Sequence, residues 1–535
     1  MKIVRYLTGF FAIATVNICL GQVPPIQWQK TYGNSGNEVL HSIVSTADGN
    51  YLVMGIADVN GGDVSCSLKG LHDVWVYKMT PSGNVIWQQC FGGSKEEANP
   101  YNKIIATSDG GSLFISESWS KDFDATGHHK YSDVLTIKLD ASGNIQWKHS
   151  FGGKKYDVPR ALLELPGKRY VIVSRSTSSD GDVPDNIDPL KFDAWVFILD
   201  KNGNIISNHV YGGTGDDDLH QILQTADGNL LLFGFSSSQD GDLAGLSTNG
   251  TDGWLLKIDT LGNVLDSRVY GQANKEEMYD ALKTNDGGYM VFGVTENPIV
   301  PVDKGSYHGD DDLWAVKLDN AYNMQWQGVY GGSDRETMMQ GVIAPGNSGY
   351  YLAGGTYSDD GDVTKPSGNG NDEYVIKISP AGTLLWSFTH GGTAKDYANG
   401  ITPTGLIAGV AYSTDGDVQN PKGNGDGWIY KFKDSKNGMA ARPSESDDFA
   451  LDGQPVFSYP NPASDVLNIQ LQYESNSLTI MLSDLTGRTV YRQAGIDAVD
   501  KLTYDIPVSG LPAGIYMLRV SGDILLYTEK IMVMH

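Results

Sequence analysis

The chain has 535 residues, 64 acidic against 39 basic, and a net charge of −25. That balance excludes a nucleic-acid partner, because phosphate binding needs a basic patch. Sixty-five glycines and short runs of Val, Ile, Tyr and Trp point to all-β structure with many turns, in a chain long enough for several domains.

Residues 1–21 read as an export signal. Lys2 and Arg5 make a positive start, and Leu7 to Ile18 form an apolar run too short to span a bilayer. Cys19 and Gly21 are small residues at the −3 and −1 positions, which predicts cleavage before Gln22. Bulky Ile18 ahead of Cys19 argues against lipoprotein processing. No later stretch is long and apolar enough for a membrane helix. Cys66 and Cys90 remain in the mature chain. Export permits a bridge between them, but one falls in a loop and the other in a strand, so the pairing is open.

Ile26–Tyr32 is a lone strand whose Trp28 and Tyr32 match the closing strand of a recurring unit. Six full units follow, each with four strands. In the first these are Val39–Ser45, Tyr51–Ala57, Asp73–Met79 and Val85–Phe91. The hairpin of the third and fourth strands returns from Asp133, Asp193, Asp252, Asp312 and Asp372, at spacings of 60, 60, 59, 60 and 60 residues. A fixed period of this size marks an array of identical supersecondary units. Two tight turns punctuate each unit, as in Asp48-Gly49-Asn50 and Ser82-Gly83-Asn84, where glycine supplies positive φ and Asp or Asn bonds its own backbone. These glycines do not need a phosphate.

A seventh unit holds Tyr397–Thr402, Leu406–Ala411 and Asp426–Phe432 and lacks a fourth strand. The lone N-terminal strand is the missing piece. The expectation is a seven-bladed β-propeller over residues 22–433, closed by its own N-terminal strand, which hides both sheet edges. Ten of eleven tryptophans obey the repeat, in columns at Trp75, Trp195, Trp254, Trp314 and Trp428 and at Trp28, Trp87, Trp147, Trp326 and Trp386. Packing between blades explains them better than sugar stacking. A buried aromatic hides roughly 150–250 Å², on the order of 4–6 kcal/mol as an upper bound. Trp119 alone is off the pattern.

Residues 434–455 form a polar linker. A smaller β domain follows over 456–535. It carries Tyr459-Pro460-Asn461-Pro462, Val466-Leu467-Asn468-Ile469, Ser483-Asp484-Leu485-Thr486-Gly487-Arg488 and Leu511-Pro512-Ala513-Gly514-Ile515-Tyr516, with Lys530 in a terminal apolar strand. The order and position of these motifs resemble the type A C-terminal sorting domain of the type IX secretion system in Bacteroidota. The resemblance implies a small β-sandwich read by the outer-membrane secretion machinery. Its sorting residues here would be Pro460, Asn461, Pro462, Gly487, Gly514, Tyr516 and Lys530. It implies a secreted or surface-attached product, and in that family the domain is often cleaved and the cargo attached to lipopolysaccharide. The run from Lys138 to Trp147 also resembles the tryptophan-docking repeats of quinoprotein dehydrogenases, without an adjacent cysteine pair; a shared packing solution is not a shared function.

Alternating strands put both long connections of each unit on one face and both tight turns on the other. Function collects on long loops held by a rigid scaffold. The loops between the second and third strands repeat Asp180-Gly181-Asp182, Asp240-Gly241-Asp242, Asp360-Gly361-Asp362 and Asp415-Gly416-Asp417. Roughly ten residues on come Asp193, Asp252, Asp372 and Asp426. Two readings stand: each set of three carboxylates wraps a Ca²⁺ ion, which takes six to eight oxygens in flexible geometry, or these aspartates cap turns and pin the loop through backbone N–H groups. The second unit has Asp122, Asp124 and His128-His129, too few placed ligands for a transition metal.

The innermost strands line a channel. One column there reads His41, Asn102, Pro159, His220, Tyr279, Met339, Tyr397, and its neighbour Ser42, Lys103, Arg160, Gln221, Asp280, Gln340, Ala398. Neither presents a Ser-His-Asp, Cys-His or zinc spacing. No catalytic residue is assigned. The expectation is a monomeric, non-catalytic binding propeller whose loop face takes a glycan or a protein. The alternative is a secreted enzyme acting on carbohydrate or a redox substrate at the channel mouth.

Overall fold

A computed structural model describes residues 24–434 and 456–533, apart from 98–99, 185, 187, 189, 247–249, 272–274, 297–301, 364–370, 460–465, 472–474, 485–487, 499–501 and 522–525. The expected export signal, all but the first residue of the expected linker, and Pro460, Asn461, Pro462 and Gly487 lie outside the described residues. The chain divides into two compact units, 1–440 and 441–535.

The first unit is a β-propeller. Sheet one holds Glu38–Ser45, Tyr51–Ala57, Asp73–Met79 and Val85–Phe91, hydrogen-bonded in chain order. Sheets two to six repeat that order and begin at Lys103, Asp157, Asp217, Lys275 and Glu336. Sheet five adds a two-residue strand, Lys304–Gly305, parallel to Met324–Tyr330. Sheet seven combines Asp396–Ile401, Leu406–Ala411 and Asp426–Phe432 with Ile26–Tyr32, which lies antiparallel to the last of these, Tyr32 opposite Gly427.

Why each sheet meets the next is legible in side chains. Trp75, Trp195, Trp254, Trp314 and Trp428 are at most 1% exposed. Each indole N–H donates to a polar side chain on the fourth strand: Gln88, Asn208, Ser267, Gln327 and Gln29, at 2.6–3.1 Å. Burial thus leaves none of these five indole donors unsatisfied. The fourth strand then hooks forward. The Tyr211 hydroxyl donates to Gly262 O at 2.7 Å and the Tyr270 hydroxyl to Tyr322 O at 2.6 Å, each in the hairpin turn of the next sheet. Tyr32 of sheet seven makes the same bond to Gly83 O of sheet one, at 2.7 Å. Gly83 is confined twice, by a φ of +78° and by Trp28, whose ring a Cβ would approach to 3.2 Å.

Cys66 and Cys90 form a disulfide, with Cα atoms 5.5 Å apart, against the core of sheet one. Asp434 belongs to the propeller by its contacts. It accepts bonds from Lys377 Nζ at 2.6 Å, from the Tyr351 hydroxyl at 2.5 Å and from Trp386 Nε1 at 3.2 Å.

The second unit is a sandwich of two antiparallel sheets. One holds Val456–Tyr459, Val466–Leu471 and Leu502–Pro507. The other holds Ser475–Asp484, Thr489–Ala498, Gly514–Ser521 and Leu526–Val533. Leu467, Ile469, Leu478, Ile480 and Leu482 meet Leu518, Val520, Ile531 and Val533 in its core. Alternation is clean along Gly514–Ser521, where Tyr516, Leu518 and Val520 are buried between exposed Met517 and Arg519. Gly514 opens that strand opposite Val533, and the backbone of Lys530 pairs with Met517. Tyr516 donates its hydroxyl to Pro512 O at 2.7 Å.

Candidate binding face

The recurring Asp-Gly-Asp is a clamp on the turn that enters its own sheet. Asp180 accepts the Lys154 N–H at 2.7 Å, while Asp182 donates its N–H to Gly152 O at 2.9 Å and accepts the Gly152 N–H at 3.2 Å. Asp240 and Asp242 grip Thr214 and Gly212 in the same way, at 2.7 and 3.0 Å. Asp360 accepts from Ser333 N and Asp415 from Thr393 N, at 2.7 and 2.8 Å. Asp362 and Asp417 donate to Gly331 O and Gly391 O, both at 2.8 Å. Carboxylate-to-amide bonds of this kind are the stronger class. The middle glycine sits at φ +59° to +68° in all four loops.

The third aspartate of each expected set goes elsewhere. Asp193, Asp252, Asp372 and Asp426 each lie against an acid of the following sheet: Asp217, Glu276, Asp396 and Glu38. Asp73 with Glu97, Asp133 with Asp157, and Asp312 with Glu336 complete the series. Each pair converges on the first glycine after the fourth strand. At Gly152 a Cβ would lie 2.6 Å from Asp133 Oδ1 and 2.6 Å from Asp157 Oδ2, so no larger residue fits. The second acid stands five residues after that glycine in every repeat, a spacing visible in the sequence and absent from the motifs singled out above.

These acids are buried. Desolvation pushes Glu38 and Glu97 up to about 7, Asp157 to about 6 and Asp312 to about 8, with the facing carboxylates adding to the rise. Donors moderate it: Ser178 Oγ reaches Asp157 at 3.0 Å and Thr356 Oγ1 reaches Glu336 at 2.6 Å. Among the described residues no group of three or more His, Cys, Asp or Glu side chains could hold a metal ion. His128 and His129 diverge, to Ser118 O at 3.1 Å and to Asp133 Oδ2 at 2.9 Å.

In the channel, the expected columns need correcting. Six innermost strands carry a bulge, which turns out His41, Arg160, His220, Tyr279, Met339 and Asn399. Arg160 therefore replaces Pro159 in the first column, and Asn399 replaces Tyr397. Ala161 and Gly400 take the places given to Arg160 and Ala398 in the second. Arg160, Asp280, Gln340 and Asn399 tie sheet to sheet, whereas His41 Nδ1 is buried without a partner among the described residues. Arg160 Nε and Nη2 both reach Asp218 at 2.9 Å, Nη1 donates to Pro159 O at 3.0 Å, and Tyr101 covers the guanidinium at 4.4 Å. Arg175 Nη1 lies 3.2 Å and His220 Nε2 3.3 Å from Asp218 Oδ2. Burial opposes the charge on Asp218, yet Arg160 holds its carboxyl well below the carboxylate range; burial pushes His220 down. Asp280 Oδ2 accepts the Gly341 N–H and Gln340 Oε1 the Ile401 N–H, at 2.8 and 2.9 Å. Asn399 Nδ2 donates to Leu40 O at 2.8 Å, joining sheet seven to sheet one. A cavity of about 130 Å³ remains, lined by Ser42, Lys103, Gln221, Asp280 and Gln340 among others.

Exposed and half-exposed aromatics gather on the loop face. Tyr156 contacts both half-exposed Trp119 and exposed Tyr131 between sheets two and three. Tyr397 and Tyr412 line an open depression of about 530 Å³ with Thr393 and Lys395.

Two units, an all-β propeller and a terminal sandwich with an alternating core, define a repeat protein carrying a separate addressing domain. Residues 458–534 match the secretion system C-terminal sorting domain family. This is a type IX secretion system sorting-domain protein, exported to the cell surface or released from it, and its sorting domain engages that machinery. No helix among the described residues is long and apolar enough to cross a membrane. No curated protein matches the chain. Among solved structures, a protein of unknown function from Dyadobacter fermentans DSM 18053 is 12% identical, over 67% of this chain and 96% of that one, with a TM-score of 0.35. Puromycin hydrolase is 11% identical over 82% and 59%, TM-score 0.39. The parainfluenza virus 5 hemagglutinin-neuraminidase ectodomain is 9% identical over 76% and 83%, TM-score 0.34. Likeness at this level carries no functional argument.

Proposed function

We propose that residues 26–432 form a closed seven-bladed propeller, fastened by Ile26–Tyr32, that acts as a monomeric, non-catalytic binding protein outside the cell. An export signal at residues 1–21 and the sorting domain would bring it there. The ligand is a glycan or a protein, held on the long-loop face. One observation carries the reading: Arg160, Asp280, Gln340 and Asn399 in the channel are engaged in sheet-to-sheet bonds, whereas the loop face leaves aromatic rings exposed. The test is binding of the full chain to arrays of glycans and proteins, alongside assays for turnover. Binding without turnover is expected; turnover without binding at the loop face would overturn it.

A second reading, a carbohydrate or redox enzyme at the channel mouth, is favoured by the Arg160, Asp218, His220 and Arg175 cluster. Against it, Arg160 and Asp218 are at most 2% exposed and already satisfy each other. Activity lost in Arg175→Ala, which alters the half-exposed member, would favour it.

Ca²⁺ binding by the Asp-Gly-Asp loops is a further proposal. Its support is the density of carboxylates; its difficulty is that Asp180, Asp240, Asp360 and Asp415 already serve backbone amides. A melting temperature raised by millimolar Ca²⁺ is expected if the ion binds. An unchanged melt with and without chelator removes the idea.

A further inference from the structure

The cavity in the channel is walled by one layer of residues. Six innermost strands give it Ser42, Lys103, Ala161, Gln221, Asp280 and Gln340. Each acceptor oxygen of its carboxyl and amide groups already receives a donor. Asp280 Oδ1 takes the Gln221 amide and the Ala281 N–H, the latter at 2.8 Å, and Oδ2 takes the Gly341 N–H at 2.8 Å. Gln221 Oε1 takes the Ile222 N–H and Gln340 Oε1 the Ile401 N–H, at 2.8 and 2.9 Å. The donors are left over. Among the described residues, the Lys103 amine, the Gln340 amide nitrogen and the Ser42 hydroxyl form no hydrogen bond, and Lys103 forms no ion pair. A cavity lined by spare donors calls for a ligand that accepts.

Lys103 supplies the positive charge of this lining. Burial, then the Lys103 charge, pushes nearby His41 down to about 3, and burial pushes His220 down, so neither adds a cation near neutral pH. Burial draws Lys103 itself down, against the pull of Asp280, and an anion on the amine offsets that cost. Asp280, bonded to three N–H groups and pushed up by burial, opposes an anion only weakly. One or two residues further along the same strands, Val44, Ile105 and Leu162 add an aliphatic wall. The volume of about 130 Å³ has room for about four waters at about 30 Å³ each, so the ligand is far smaller than a sugar chain or a peptide. We infer that this cavity binds a short-chain monocarboxylate, its carboxylate on Lys103, Gln340 and Ser42 and its alkyl end against Val44, Ile105 and Leu162. The site lies in the channel, apart from the loop face, and stands independently of the binding reading above.

The test is calorimetric titration of the full chain with sodium formate, acetate and butyrate, with n-butylamine and inorganic phosphate as counterparts. Butyrate is expected to bind, and to bind more tightly than formate by about fourfold for each methylene buried. Lys103→Met keeps the aliphatic stem and removes the amine. It is expected to weaken butyrate binding about tenfold or more, as the loss of a charge-assisted bond should. Its melting temperature is expected to be no lower than wild type, because the amine holds no other group of the fold. Tyr412→Ala, on the loop face, is expected to bind butyrate as wild type does. Butyrate binding absent from wild type, or unchanged in Lys103→Met, overturns the site. Formate or phosphate bound as tightly as butyrate overturns the role of the aliphatic wall. Butylamine bound in place of butyrate shows that Asp280 governs the cavity and overturns the carboxylate assignment.

Discussion

The Glu38 and Asp426 pair joins the first and last sheets, and it makes stability depend on pH in a calculable way. Glu38 is fully buried, accepts the Asn34 N–H through Oε2 at 3.0 Å and has no donor for Oε1. Burial, then the nearby acids Asp58, Asp426 and Asp63, raise it from 4.5 to about 7. A folded-state pKa above the unfolded one means that the folded chain binds the proton more tightly. The stabilisation is fully present below about pH 4.5 and is lost as pH rises through about 7. At about 1.4 kcal/mol per unit, the loss at this one acid is about 3 kcal/mol, an upper figure. Glu38→Gln keeps the shape and removes the titration. Near pH 5 the variant should match wild type. Near pH 8 it should be the more stable by up to about 3 kcal/mol, with wild type falling faster in between. Denaturant midpoints followed by tryptophan fluorescence at both pH values measure this. Equal pH dependence in the two proteins, or a variant weaker near pH 8, refutes the argument.

Deleting Ile26–Tyr32 removes fully buried Tyr32 and the partner strand of Asp426–Phe432; the melting temperature should fall by about 5 °C or more, and an unaltered melt would count against ring closure. Gly331→Ala should destabilise by about 2–3 kcal/mol, because its φ lies outside the left-handed region and the new Cβ falls between Asp312 Oδ1 and Glu336 Oε2. A variant as stable as wild type in denaturant would show that the carboxyl pair moves apart freely. Arg160→Met leaves Asp218 buried with only half-exposed Arg175 as a cation, and should cost about 3 kcal/mol or more in the same assay. A neutral result there would revive a role for Arg160 beyond holding sheet four.

The period and the strand positions were legible from residues alone, because each depends on local pattern, and the sorting domain was legible through its motifs' resemblance to a known family. Val85–Phe91 and Asp426–Phe432 have the bounds that alternation and turn residues predict. Trp119 stood out for the same reason, as an exception to a period. What the chain alone could not decide was which acids meet. Asp193 is eleven residues from Asp182 but faces Asp217, across a boundary between sheets, while Asp182 grips Gly152. Neighbours in a propeller are set by packing one repeat against the next, and a motif read within one repeat misassigns them. The channel columns slipped for a related reason: a bulge inserts one residue and leaves no mark in composition, so Arg160 rather than Pro159 meets the axis. Sequence settled what every unit is made of; only the packing of sheet against sheet settled which unit each carboxylate serves.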